Sequence, residues 1–250
     1  AYTNHAGEAK AGPTHFPSCP HLLRASTSNR RYNGRHVDGR DKPGHDDRLE
    51  HTMDYRIFNT DEIDHQQCYR LLIGSIVPRP IAWVSSIDEN GVPNLAPFSF
   101  FSIVSHYPPL VSMAVSEKTH APKHTSANIQ ATKGFVVHTV TDDFAESMNA
   151  SSANYEADQD EFAEIGLETV PSDLVDAPRI KGCPVAMECT FEQVLKFGDE
   201  WVTDLVIGRV LRWHVREDLM LDDKYVNPHT LQPVGRLGGP RYCRTHDIYE

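Results

Sequence analysis

The run Ile76-Val-Pro-Arg-Pro-Ile-Ala-Trp-Val-Ser-Ser86, followed after a short turn by Pro93-Asn-Leu-Ala-Pro-Phe-Ser-Phe-Phe101, decides how the rest of the chain is read. Ile81 to Ile87 is rich in β-branched and aromatic side chains, which fit a pleated, half-buried surface. Asp88-Glu-Asn-Gly91 supplies turn residues, with a glycine free to take positive φ, and Val92 to Ala96 runs back. Together they predict a β-hairpin whose second arm ends in a polar and aromatic bend at Phe98, Ser99 and Phe100. A bend of this kind presents backbone N–H groups to a flat ligand.

Upstream, Ile63, Cys68, Leu71 and Leu72 recur at helical spacing, so Asp61 to Leu72 predicts a short amphipathic helix that delivers the chain to the hairpin. Downstream, Leu110 to Val115 and Phe135 to Val140 read as strands. Thr125 to Ala131 reads as a helix capped by Thr125. Asp142 or Asp143 is placed to cap a helix running through Met148, and Asp160 to Ile165 predicts another helical turn. Val185, Met187, Cys189 and Phe191 alternate with Ala186, Glu188, Thr190 and Glu192, the period of a strand with one buried face. Phe197-Gly-Asp-Glu200 turns the chain, and Val202 to Val215 predicts a long returning strand in which Gly208 marks a bulge. Short strands joined by hairpins, with few helices between them, predict a mainly β fold with peripheral helices (α+β), an antiparallel barrel of Greek-key type. Neither G-x-G-x-x-G nor a Walker sequence is present, so a Rossmann site or a P-loop is not indicated.

A chain of 250 residues, 39% hydrophobic and 24% charged, is long enough to bury a sizeable core. Its formal net charge of −11 argues against a nucleic-acid groove, which needs clustered Lys and Arg, and leaves any anionic ligand to local donors. Five cysteines at 19, 68, 183, 189 and 243, without a C-x-x-C pair, point to a reducing compartment, with the last three read as buried thiols. No apolar run reaches the length of a membrane span and the N-terminus lacks a hydrophobic signal core, so the expected location is cytoplasmic. No Ser-His-Asp order or paired-carboxylate motif stands out. His120 and His124 are separated by Pro122 and make a poor metal pair, so neither hydrolysis nor metal catalysis is expected.

Four separated blocks carry a family signal in order: the Pro-Arg-Pro-Ile-Ala-Trp-Val-Ser-Ser run; Asn-Leu-Ala-Pro-Phe-Ser-Phe-Phe followed by Tyr107-Pro-Pro109; Pro122-Lys-His-Thr-Ser-Ala-Asn-Ile129; and Pro233-Val-Gly-Arg-Leu-Gly-Gly239. Together they resemble the flavin reductase-like, FMN-binding split-barrel family from about Tyr55 to the C-terminus. One position departs from the family pattern. His124 stands where the family usually has Asp, which alters the charge of that loop.

The resemblance implies an FMN-binding homodimer that takes hydride from NADH or NADPH and hands electrons to a monooxygenase or other acceptor. A flavoredoxin-like carrier with bound FMN, or a non-catalytic flavin-binding module, would share the fold. A flavin needs donors for its phosphate, hydrogen bonds along the pyrimidine edge of its ring, and one open ring face. The family's Lys-x-Thr-x-x-Asn pattern falls on Lys123, Thr125 and Asn128 beside a helix start, where unpaired N–H groups favour an anion. Ser85 and Ser86, leaving the first strand, and Phe98, Ser99 and Phe100 in the bend are the other candidates. Among these, Phe98 and Phe100 have core packing as their alternative. Arg79, held between two prolines, has either a phosphate or a surface carboxylate as its partner. Trp83 belongs either to the barrel core or against the ring. Arg236 approaches the flavin or the donor's phosphates, or forms an ion pair at a turn.

Residues 1–52 differ in kind, being rich in His, Gly, Pro, Arg and Asp with scarcely any apolar period. They read as read-through upstream of a natural start at Met53 or as a disordered tail, and the folded domain is expected over residues 53–250. A chain beginning at Met53 should therefore keep both its melting temperature and its flavin binding, as measured by thermal denaturation and flavin titration. A loss of several degrees would mean that the leader packs on the barrel.

Overall fold

Asp88 builds the hairpin turn. Its carboxylate accepts the backbone N–H groups of Val92 (2.7 Å) and Asn90 (2.9 Å), bonds that hold its pKa below the usual carboxylate range, while Gly91 takes a φ of 89°. The flanking strands β1 (Ala82–Ile87) and β2 (Pro93–Phe98) pair antiparallel, from Ala82 opposite Phe98 to Ile87 opposite Pro93. The computed structural model describes residues 55–116, 124–156, 159–199 and 201–249. The expectations for residues 1–52 and for Lys123 lie outside them.

Helix α1 (His65–Ser75) comes before the hairpin. It starts a few residues later than its apolar spacing predicts, because Asp64 is the residue whose side chain caps it, accepting the Gln67 N–H at 2.7 Å. After the hairpin come β3 (Phe101–His106), β4 (Pro109–Ser116), α2 (His124–Thr132), β5 (Gly134–Thr139), α3 (Ala145–Ala150) and α4 (Glu161–Glu164). Two-residue strands β6 (Thr169–Val170) and β7 (Arg179–Ile180) precede the long pair β8 (Val185–Phe197) and β9 (Thr203–Val215). Short elements finish the described chain: β10 (Met220–Leu221), β11 (Tyr225–Val226), α5 (Pro228–Leu231), β12 (Val234–Arg236) and β13 (Tyr242–Arg244).

Seven strands form one antiparallel sheet in the order β2-β1-β5-β8-β9-β4-β3. Its two edges, β2 and β3, follow each other in the chain and are joined only by Ser99 and Phe100. The sheet therefore curls round until its edges are bridged by backbone rather than by a ladder, and the Phe100 carbonyl accepts the Ala114 N–H from β4 at 2.9 Å. The mainly β reading with peripheral helices holds. Strand β3 is an addition to it: Ile103 and Val104 sit side by side and both are exposed, so no two-residue period announces a strand there.

The barrel interior is filled by Ala82 and Val84 of β1, Phe98 of β2, Val111, Met113 and Val115 of β4, Phe135 and Val137 of β5, Cys189 of β8, and Val206 and Val210 of β9, with Ile129 of α2 packed against them. The opposite face of β1 is covered as well. Ile81, Trp83 and Leu95 pack there with Val140, Met148, Phe162 and Ile180, so β1 is buried on both faces. His138, fully buried, spans this layer: its Nε2 accepts the Ile180 N–H at 3.0 Å, which leaves Nδ1 to donate to the Trp83 carbonyl at 3.0 Å. Burial holds its pKa down to about 4. Of the three cysteines expected to be buried only Cys189 is, Cys183 and Cys243 being half-buried, and desolvation still pushes the Cys183 thiol up to about 12. The four described cysteines are all free.

Four local expectations are corrected. Glu188, assigned by alternation to an exposed face, is fully buried because the loop at Asp173 and Leu174 covers it. Its carboxylate accepts their N–H groups at 3.0 and 2.6 Å and meets His214 Nε2 at 2.5 Å. Neither Asp142 nor Asp143 caps a helix by its side chain. A single 3-10 turn at Asp142–Phe144 leads into α3, and Asp142 accepts from Arg244 Nε at 2.9 Å. Thr125 lies inside α2, not at its cap. Gly208 does mark a bulge, but on the partner strand: one extra residue in the ladder is Glu192 of β8, opposite Gly208 and Ile207, and a second is Leu211 of β9, opposite Glu188 and Cys189. The reason for a glycine is a ring, since a Cβ at 208 would stand 2.2 Å from Cζ of Phe135. Gly208→Ala should thus destabilise the protein by about 1–3 kcal/mol in urea unfolding. The same substitution on a Phe135→Leu background should cost much less.

Candidate functional site

Asp160 caps α4 by accepting the N–H groups of Phe162 (2.9 Å) and Ala163 (3.3 Å), and this turn drives the next side chain, Glu161, inward until only 5% of it is exposed. One Glu161 oxygen accepts the Leu95 N–H at 3.1 Å and the other accepts the Asn94 side-chain amide. Burial raises the Glu161 pKa above the ordinary carboxylate value. Asn94 in turn accepts the Thr125 hydroxyl at 2.7 Å and, more weakly, the Ser86 hydroxyl at 3.4 Å. Asn128 completes the chain by donating to Ser86 Oγ at 3.4 Å. Four elements, β1, β2, α2 and α4, are thereby tied by one polar network beside a cavity of about 790 Å³, of a size that takes a drug-sized ligand or cofactor.

Two arginines form another wall. Arg79, only 6% exposed, donates through Nη1 to the carbonyls of Ile76 (2.7 Å) and Ile73 (2.8 Å) and through Nη2 to Leu237 (3.1 Å). Its Nε approaches Ser99 Oγ at 3.4 Å. Its backbone also exchanges two hydrogen bonds with Arg236, at 2.9 and 2.8 Å. Burial and the charge of Arg236 lower its pKa from the usual arginine value. The Arg236 guanidinium lies 4.5 Å from the Tyr242 ring centre, donates to the Tyr242 hydroxyl and to the Gly239 carbonyl (2.8 Å), and Tyr242 donates to Asn149 at 3.1 Å. The end of α3 and the segment after it supply a third wall, including Asn149, Ser151 and Tyr155.

Of the residues singled out from sequence, Arg79, Ser99, Thr125 and Arg236 line this cavity together. The partners of Arg79 are backbone carbonyls, not a surface carboxylate, and those of Arg236 are a phenol and a carbonyl. Ser86 and Asn128 stand one step behind Thr125. Trp83 is fully buried on the outer face of β1, and its Nε1 donates at 2.9 Å to Ser151, itself a cavity residue. Ser85 points away and donates to the Pro178 carbonyl at 2.6 Å. Phe98 fills the barrel interior, and Phe100, 40% exposed, lies with its ring centre 5.8 Å from the Arg79 guanidinium. Asn94, Glu161, Ser151 and Tyr242 were not anticipated as site residues. Asn94 lay within the quoted hairpin, but its partner Glu161 is 67 residues away, and no local period links them.

Residues 73–229 match a family model described as the flavin reductase like domain. An uncharacterized protein of Halalkalibacterium halodurans is 38% identical over 195 residues, covering 76% of this chain and 93% of that protein. Among solved structures, nitrilotriacetate monooxygenase component B from Bacillus cereus is 34% identical with a TM-score of 0.76, over 79% of this chain and 98% of that one. The 2-nitrobenzoate 2-nitroreductase of Pseudomonas fluorescens is likewise 34% identical, with a TM-score of 0.71 over 78% of this chain and 94% of that one.

Removing the Arg79 guanidinium should unfasten the wall it holds. Arg79→Met leaves three carbonyls short of a donor, at about 1–3 kcal/mol for each one that stays buried and unpaired. Arg79→Lys should rescue little of this, since a single ammonium cannot span the planar fork. Chemical denaturation measures both, the midpoint falling without a change of slope.

Proposed function

This chain belongs to the flavin reductase-like family, and on that premise we propose that its cavity binds FMN and accepts hydride from NADH or NADPH, making the protein a flavin oxidoreductase. The observation that carries the reading is convergence. The N-terminal turn of α2, the bend at Ser99 and the two arginines all open on one cavity. In this reading the start of α2, where first-turn N–H groups have no partner within the helix, would hold the phosphate, and Lys123, which precedes His124 in the sequence, would add a charged donor. The Ser99 backbone N–H would serve the pyrimidine edge of the ring. Arg236, already positioned by Tyr242 and Gly239, contributes positive charge to the cavity.

Bound flavin supplies the two-electron chemistry, taking hydride from nicotinamide C4. The protein's share is to bind, orient and exclude water, so little acid–base work falls on its side chains. The similarity to a monooxygenase component B supports a monooxygenase as electron acceptor, and free thiols at Cys68, Cys183, Cys189 and Cys243 support a cytoplasmic site of action. Ile103 (77% exposed) and Tyr107 (87% exposed), at the sheet edge, support a homodimer.

An absorption spectrum of the purified protein with FMN, before and after NADH or NADPH, tests this reading. Flavin absorbance that bleaches on addition of the nucleotide, with steady turnover on free FMN, is expected. Bleaching without turnover would favour a flavoredoxin-like carrier, and no flavin binding would defeat the proposal. Lys123→Ala should weaken FMN about ten- to hundredfold while leaving riboflavin unchanged, since one charge-assisted hydrogen bond is lost.

A further inference from the structure

The direction of each hydrogen bond between Glu161 and Thr125 follows from chemistry. An ionised carboxylate only accepts, so the Asn94 atom facing it must be the amide nitrogen. The Asn94 oxygen then faces Thr125, and the hydroxyl, which has one proton, donates it to that oxygen at 2.7 Å. Thr125, although it lines the cavity, is left with lone pairs alone to offer a ligand. It repels a phosphate in this state.

We propose that Glu161, acting through the Asn94 amide, decides whether Thr125 presents a lone pair or a proton to the cavity, and so sets how tightly the site holds the flavin phosphate. The inference rests on the reading that FMN binds with its phosphate at the start of α2. When Glu161 takes up a proton, one oxygen still accepts the Leu95 N–H, while the other becomes a donor. The Asn94 amide rotates to accept that proton with its oxygen and turns its NH2 toward Thr125. Thr125 now accepts from Asn94 and its own O–H is free to donate to a phosphate oxygen. Ser86, 3.4 Å from the Asn94 amide, turns its hydroxyl to accept. No atom other than the proton on Glu161 is gained or lost.

The surroundings make both states accessible. Burial favours the neutral carboxyl, hydrogen bonds from its own backbone, the Leu95 N–H and the Asn94 amide favour the ionised one, and the adjacent Asp160 charge again favours the neutral form. From α2 the titratable neighbour on the cavity is His124, from the segment after α3 they are Tyr155 and Glu156, and Tyr69, Tyr242, Arg79 and Arg236 line the same cavity; β2 brings no titratable group to it. Glu161 is a positioning residue here, because Thr125 alone of the pair acts on the ligand.

The readout is the affinity of FMN divided by that of riboflavin, which lacks the phosphate, measured by quenching of flavin fluorescence. Glu161→Gln mimics the protonated carboxyl, its amide donating to the Asn94 oxygen. At about pH 8 it should raise the ratio roughly tenfold over wild type, the worth of one hydrogen bond to a charged group. As pH falls toward the raised Glu161 pKa, the wild-type ratio should climb to meet that of the variant; ionisation of the phosphate itself affects both proteins alike and cancels. On a Thr125→Val background Glu161→Gln should change nothing. Equal ratios in wild type and Glu161→Gln at pH 8, or a difference that survives Thr125→Val, would overturn the inference while leaving flavin binding intact. Failure of wild type to bind either flavin would overturn the functional reading and this inference with it. If Glu161→Gln does not fold, wild type against Thr125→Val decides: the wild-type ratio must rise relative to the variant on acidification, and parallel profiles overturn the proposal.

Discussion

The guanidinium of Arg79 is the tie on which the site depends. It reaches the carbonyls at the end of α1 and the carbonyl of Leu237, while its backbone pairs with Arg236. None of these segments belongs to the seven-stranded sheet, and barrel closure alone would leave them loose. A buried cation with planar, directional donors demands partners, and carbonyls at a helix C-terminus carry the complementary partial charge. The prolines at 78 and 80 restrict the backbone on either side, which lowers the entropy cost of aiming the side chain. Ser99 is drawn into the same arrangement at the barrel seam.

That seam explains where the cavity lies. A sheet that closed by hydrogen bonds all round would offer no gap, whereas this one passes from β2 to β3 through two residues and leaves backbone at the junction outside the ladder. The hydrophobic interior beneath is filled by large side chains, Phe135 among them, whose ring needs a residue without Cβ at 208. The barrel is thus a packed support rather than a container. Polar groups gather beside it, on β2, α2 and α4, where each has a hydrogen-bond partner.

Charge is managed in the same local way. The chain carries a formal net charge of −11, so long-range attraction does not favour a phosphate. Short-range donors would have to do so, and among the described residues the start of α2 and the Arg236 guanidinium are brought to the cavity. The buried carboxylate of Glu161 lines the same cavity, and its charge is met locally by the Leu95 N–H and the Asn94 amide. His138 illustrates the opposite solution, a titratable group kept neutral at ordinary pH by burial and used only to join two layers.

By itself the sequence determined the mainly β class, the hairpin at 81–96, the long strand pair at β8 and β9 and the family, because two-residue alternation, turn residues and ordered motif blocks are local properties of the chain. It also picked out Arg79, Ser99, Thr125 and Arg236, which do meet at one cavity. Only the tertiary structure decided which atoms those side chains face. Arg79 met carbonyls, since its partners lie 3, 6 and 158 residues away and have no side-chain signature. Trp83 and Phe98 each had a core and a ring reading in the sequence, and the curl of the sheet assigned them to opposite faces of the packed layers. Glu161 and Asn94 stayed silent because a hydrogen bond between residues 67 apart leaves no period to read. Local pattern reports the backbone's preferences, whereas the pairing of buried polar groups is settled only when distant segments come together and exclude water.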